Sequence, residues 1–212
     1  MSVWEFIKEL TNPESIIKYG GLALLLFVVF AETGLLVGFF LPGDSLLFTA
    51  GLLCGTGLFK TDIITLLVGL SLAGIVGNIF GYFFGKRVGP ALFTRDDNLL
   101  FKKRYLTTTK EFYDRNGGKT LILGRFLPII RTFAPILAGV INIDFKKFML
   151  YNILGSIAWV LSLTLTGYYL GIKFPEIKNY LEYIIIALIV ITSIPVYRTY
   201  KKEKNSNESS SK

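Results

Sequence analysis

Apolar positions along this chain come in long uninterrupted runs, not in the alternation of a soluble core. Residues 63–85 contain no charge, and neither do residues 148–172. Each run exceeds the roughly 20 apolar residues a helix needs to cross a bilayer. Residues 16–31 form a shorter apolar run whose single charge, Lys18, can snorkel from the end, and residues 183–197 form another that crosses if it begins at Asn179. Two further apolar runs are broken. Residues 33–59 carry one charge, Asp44, and are interrupted by Pro42-Gly43; residues 121–143 hold Arg125 and Arg131 and are interrupted by Pro128 and Pro135.

Proline inside a helix removes a hydrogen bond and clashes one turn back. Broken backbone at membrane depth is tolerated only where protein or a watery cavity surrounds it. The two broken runs therefore predict re-entrant hairpins, at about 32–59 and 121–143, with Pro42, Gly43, Pro128 and Pro135 as hairpin-tip structure and Pro42-Gly43-Asp44 and Arg131 to Pro135 as turn material. They also resemble each other: Phe40-Leu41-Pro42 is followed after seven residues by Ala50-Gly51, and Phe126-Leu127-Pro128 after nine by Ala138-Gly139. Corresponding broken segments in two halves of a chain point to an inverted repeat with a binding site between them.

Charge sets the expected orientation. Residues 86–119 carry nine Lys/Arg against four acids, and residues 198–212 five against two. The positive-inside rule puts both in the cytoplasm. Four spans with one hairpin dipping from each face satisfy that constraint. The expected organisation is a cytoplasmic segment 1–15, a membrane domain 16–197 and a disordered tail 198–212. Within the 86–119 loop, Phe101, Tyr105 and Phe112 recur at helical spacing among basic residues, which suits an amphipathic helix on the inner leaflet or a solvated connector. The first 15 residues lack a basic n-region and a cleavage site, so the chain is expected to remain whole in a plasma membrane, with both termini cytoplasmic.

Composition narrows the chemistry. The 212 residues are 52% hydrophobic and only 18% charged, against about 25% charged in a soluble domain. The net charge of +8 flanks apolar runs and does not form a surface stripe, so no nucleic-acid partner is expected. There is no histidine, which excludes imidazole-based catalysis and His-ligated metal sites. The one cysteine, Cys54, cannot form an internal disulfide and reads as a small buried hydrophobe. Neither cofactor nor metal is expected.

Four charges remain inside or at the mouth of the hairpins: Glu32, Asp44, Arg125 and Arg131. One charge at mid-bilayer costs about 2.5–3.5 kcal/mol on insertion scales, so four unpaired ones amount to roughly 10 kcal/mol. They must be paired, hydrated or both. The first hairpin is acidic and the second basic, so apposed hairpins give acid–base partners. These are either salt bridges that fix the hairpins together or a site. The fork of arginine matches a phosphate, and a carboxylate in low dielectric exchanges protons nearer neutral pH, so the site reading is an anionic substrate with a protonatable coupling group. Asp44 equally suits a cap for a helix starting at Ser45. Glycines spaced by four, at 34/38, 77/81/85 and 167/171, predict close helix packing, and Asn78 and Asn152 are expected to bond across helices.

Taken together, Glu32-Thr-Gly34, Pro42-Gly43-Asp44, Gly77-Asn78-x-x-Gly81-Tyr82-x-x-Gly85, Gly124-Arg125-Phe126-x-Pro128-x-x-Arg131-Thr-Phe-x-Pro135-x-x-Ala138-Gly139 and Tyr151-Asn152-x-x-Gly155-x-x-x-Trp159 resemble the DedA family, the bacterial branch of the SNARE-associated (VTT) superfamily. The resemblance spans about residues 15–172. It implies an all-α polytopic membrane protein, with about four transmembrane helices and two opposed re-entrant hairpins in an inverted repeat. It implies lipid translocation, notably return of undecaprenyl phosphate, with proton coupling. Carried over, Glu32 and Asp44 match the family's essential acids, and Arg125 and Arg131 its essential arginines. The expected function is thus a lipid-phosphate translocase whose partners are a membrane lipid and protons, with a homo-oligomer left open. A phospholipid scramblase and a proton-coupled small-solute transporter are neighbouring alternatives, a scaffold for other envelope proteins is a further one, and an intramembrane lipid-pyrophosphate phosphatase is the enzymatic rival.

Overall fold

Glycine decides the shape of the first helix. In the computed structural model, which describes residues 13–35, 43–94, 128–174 and 176, helix α1 spans Pro13–Gly34. Its Gly21 has φ 56 and ψ −152, a conformation outside the helical region that glycine adopts without a Cβ penalty. α1 is therefore two pieces joined by a kink. Four more helices follow: α2 (Gly43–Gly55), α3 (Ile63–Thr94), α4 (Pro128–Val140) and α5 (Phe145–Lys173). No strand occurs among the described residues.

Local chemistry sets the boundaries. Asp62 caps α3 by accepting hydrogen bonds from the backbone N–H groups of Ile64 (2.9 Å) and Thr65 (3.2 Å). Asp144 caps α5 by accepting from the N–H of Lys147 at 3.0 Å. Pro128 opens α4, where its missing N–H costs nothing. α4 ends in a Schellman turn. The N–H of Ile143 donates to the carbonyl of Ala138 and that of Asn142 to Gly139, both at 3.0 Å, and Asn142 takes the left-handed conformation at φ 55.

The order of helix contacts gives the directions. Leu26 packs on Gly69, Phe30 meets Phe80 with ring centroids 6.0 Å apart, and Gly34 meets Gly77 and Gly81. α1 thus runs parallel to α3, from its start to its middle. α2 begins where α1 ends, with Gly43 against Glu32, and leads back through Gly57 to the start of α3. The two form a helical hairpin beside the first half of α3. α4 starts at the same depth and continues alongside the second half, Ile136 against Gly81 and Gly85 and Val140 against Gly89. α5 returns antiparallel to α3: Phe148 stacks on Tyr82 at 4.7 Å, and Trp159 faces Gly74.

Each short helix packs on the long helix of the other half, α2 on α5 and α4 on α3. Glycine makes both contacts close. Gly51 and Gly55 lie on the backbone of Thr164 and Tyr168, Gly167 and Gly171 on that of Phe48 and Leu52, and Gly139 on the Tyr82 carbonyl. Between helices in lipid, where apolar burial drives little, such backbone approach supplies the dispersion energy of association. The expected interhelical asparagine bond forms: Asn78 Nδ2 donates to Asn152 Oδ1 at 3.0 Å. Outside, Ile64, Val68, Leu72, Val76 and Phe80 line one exposed stripe of α3. The 27-residue apolar part of α3 and the 29 residues of α5 are each about 40 Å long, enough to cross a membrane.

Three expectations change. Residues 16–31 do not form one straight helix: α1 kinks at Gly21, and its second piece, from about residue 22, is one limb of the helical hairpin with α2. Pro135 does not break its run, and Arg131 to Pro135 is helix, not turn: α4 is continuous through Pro135. The one hydrogen bond lost there is the helical donor to the carbonyl of Arg131, and close packing on α3 sustains the rest. Finally, α3 continues past Gly85 through Lys86 and Arg87 to Thr94, because basic side chains are good helix formers. The amphipathic segment with Phe101, Tyr105 and Phe112, the 179–197 span, the tail, Arg125 and Pro42 lie outside the described residues.

Candidate functional site: a buried arginine between two carboxylates

The two short helices and the second piece of α1 all reach the middle of α3, and their ends bring three charged residues together. Glu32 is in the last turn of α1, Asp44 in the first turn of α2 and Arg131 in the first turn of α4. Arg131 Nη2 bonds and ion-pairs with Glu32 Oε1, while Nη1 does the same with Asp44 Oδ1. One guanidinium thus clamps the tip of the α1–α2 hairpin from the other half of the chain.

The triad is buried but not evenly. The side chains of Arg131 and Glu32 retain 3% and 2% of their accessible surface, that of Asp44 17%. Asp44 is the member that faces outward. It is not an N-cap; the helix starts one residue earlier, at Gly43, and the Asp44 carboxylate lies in the first turn, where the helix dipole favours negative charge. Gly43 is required by the approach of Glu32, whose carboxylate occupies the space a Cβ would fill. Thr132 Oγ1 donates to the Glu32 backbone carbonyl at 3.4 Å, a second tie between α1 and α4.

A fourth residue completes the cluster. The indole N–H of Trp159, on α5, donates to Asp44 Oδ1 at 2.8 Å, and the same ring lies under the Arg131 guanidinium, 4.4 Å from Cζ to the ring centroid. Sequence reasoning assigned Trp159 no role. The signal was a tryptophan in the middle of a charge-free span, where its N–H needs an acceptor. Of the residues singled out from sequence, the structure joins Glu32, Asp44, Gly43 and Arg131; Pro128 opens the helix that carries Arg131, and Pro135 lies one turn beyond it.

Two carboxylates around one guanidinium leave the described triad one negative charge in excess when all are ionised. A single proton neutralises it. An anion entering the cluster must compete with two carboxylates for one planar fork.

Comparison with known proteins fits this architecture. The VTT domain model matches residues 41–169. Protein DedA of Escherichia coli K12 is 40% identical over 173 residues, covering 82% of this chain and 78% of that protein. The chain belongs to the DedA family. Uncharacterized membrane protein Rv0364 of Mycobacterium tuberculosis H37Rv is 39% identical over 189 residues, 87% of this chain and 82% of that one. Inner membrane protein YqjA of E. coli K12 is 32% identical over 185 residues, 87% and 81% of the two chains. No solved structure matches. With relatives named as membrane proteins and two helices long and apolar enough to span, this DedA-family chain is a membrane protein.

Proposed function

We propose that this protein is a proton-coupled translocase of a lipid phosphate, with undecaprenyl phosphate as the substrate the family resemblance favours. The observation that carries the reading is the single buried guanidinium shared by two carboxylates at the meeting point of both halves. Its fork matches phosphate as well as carboxylate. Protonation of one carboxylate weakens its hold on Arg131 and frees one edge of the fork for the head group. Release of the phosphate restores the ion pair and expels the proton. The exchange couples proton movement to lipid movement, and the partial exposure of Asp44 makes it the group through which both enter.

In this reading the α1–α2 hairpin is re-entrant from one membrane face, α4 is the inner limb of a second hairpin from the other, and the halves form an inverted repeat. Positive charge at Lys86 and Arg87 puts the end of α3 in the cytoplasm. Arg125 is a second phosphate ligand. The reading is of a transporter and not an enzyme: the chain has no histidine to serve as nucleophile or proton shuttle for phosphate hydrolysis.

The test is flipping of a fluorescent polyprenyl phosphate in proteoliposomes, alongside a labelled phosphatidylcholine and a labelled polyprenol, with free phosphate assayed in the same vesicles. Movement of the polyprenyl phosphate alone supports the reading. Movement of every lipid makes the protein a scramblase, release of phosphate from a lipid pyrophosphate makes it a phosphatase, and no lipid movement by folded protein discards a lipid substrate.

A further inference from the structure

Trp159 is oddly placed for a packing residue. It is 1% exposed, on α5, and it touches both members of one ion pair whose partners come from α2 and α4. Its N–H donates to the same Asp44 oxygen that accepts from Arg131 Nη1. Its ring lies against one face of the Arg131 guanidinium. On its other side is Gly74 of α3, where even an added Cβ would stay 3.8 Å from Trp159 Cζ3. An indole fits both contacts because it is donor-only at one edge and π-rich on its face. No aliphatic residue offers either, and phenylalanine offers only the second.

We infer that Trp159 is a positioning residue that keeps Asp44 and Arg131 in place while the fork of Arg131 changes partners. When the guanidinium turns from Asp44 to an anion, Asp44 loses one donor and retains the indole N–H. Arg131, in turn, loses a carboxylate and retains the ring beneath it. The charged groups facing this indole among the described residues are Asp44 from α2 and Arg131 from α4, with Glu32 of α1 reached through Arg131; α3 presents Gly74 and no titratable side chain. The inference rests on the reading of Arg131 as the anion-binding group, but the indole contacts are measurable without transport.

The chain has two tryptophans, so Trp4→Phe leaves Trp159 as the sole indole. In nanodiscs, its emission maximum is predicted to shift when the additional change Asp44→Ala removes the acceptor of the indole N–H. An emission maximum unchanged by Asp44→Ala overturns the contact whatever the substrate. Transport then separates positioning from packing. Trp159→Phe keeps the ring and loses the donor. Its maximal polyprenyl-phosphate flipping rate should fall about tenfold, the size of effect expected when a charged group loses a hydrogen bond, with an unchanged half-saturating lipid concentration. Trp159→Leu loses both contacts, and its half-saturating concentration should rise as well, about thirtyfold for a lost cation–π contact of desolvated strength. A Phe variant matching wild type in maximal flipping rate at equal folded fraction reduces Trp159 to packing and overturns the proposal. If wild type flips no polyprenyl phosphate, the translocase reading fails, and the emission response alone decides the role of Trp159.

Discussion

The carboxylate of Glu32 occupies the space where a side chain on Gly43 would begin. One residue is at the end of α1 and the other at the start of α2, so their contact closes the tip of the hairpin and aims Glu32 at Arg131. A methyl group there must push the carboxylate away. Gly43→Ala is expected to cost about 1–3 kcal/mol by overpacking and to abolish transport by displacing Glu32. Thermal melting in detergent and flipping in proteoliposomes measure the two effects. Gly74→Ala, whose added carbon meets only ordinary contacts at 3.7–4.0 Å, is the matched control and should retain both.

Arg131 holds one buried and one partly exposed carboxylate, so removing it is worse than removing either of them. Arg131→Ala leaves Glu32 and Asp44 facing each other without a cation, and a loss of about 3–5 kcal/mol is expected. Arg131→Lys keeps the charge but not the planar fork, and one ammonium cannot reproduce the bidentate geometry. The lysine variant should melt within a few degrees of wild type yet fail to transport. Equal melting of the alanine variant and wild type would show that the triad bears no structural charge balance.

The Asn78–Asn152 pair joins α3 to α5 deep in the helical core, with Asn152 Nδ2 also donating to the Ile75 carbonyl at 3.2 Å. Hydrogen bonds between helices in lipid are worth about 0.6–2 kcal/mol. A double-mutant cycle with Asn78→Ala and Asn152→Ala, read by unfolding in mixed micelles, should give a coupling energy in that range. Additive effects would remove the pair from the list of interhelical ties.

The proposed orientation is testable. Exposed Leu58 follows α2 and exposed Lys86 lies beyond Gly85 on α3, so a spanning α3 with its basic end in the cytoplasm puts the two on opposite faces. In a Cys54→Ser background, which keeps a donor toward the Thr61 carbonyl, Leu58→Cys should react with an impermeant maleimide on intact cells and Lys86→Cys only after permeabilisation. The reverse pattern would invert the assigned topology.

Particular residues show what the sequence made legible. The helices over 63–85 and 148–172 followed from their long uncharged apolar runs, the length a crossing helix needs. The meeting of Glu32 and Asp44 with Arg131 followed from cost: unpaired charges at that depth are too expensive to leave apart. The kink in α1 did not follow, because an apolar run reads the same whether protein or lipid surrounds it, and Gly20 and Gly21 give no sign of which will kink. Pro135 misled because proline reports a missing donor but not whether neighbouring helices hold the backbone straight. Trp159 stood in the motif without a role because its role depends on an acceptor, Asp44, and a cation, Arg131, that are 115 and 28 residues away in sequence.

The central claim is that protons and a lipid phosphate compete for one cluster. It is tested most directly by flipping of polyprenyl phosphate in proteoliposomes with and without an imposed pH gradient, comparing wild type with Glu32→Gln. Flipping by wild type should accelerate when the gradient is imposed, and the Glu32→Gln protein should no longer respond to it. Equal flipping by wild type with and without the gradient would contradict the coupling.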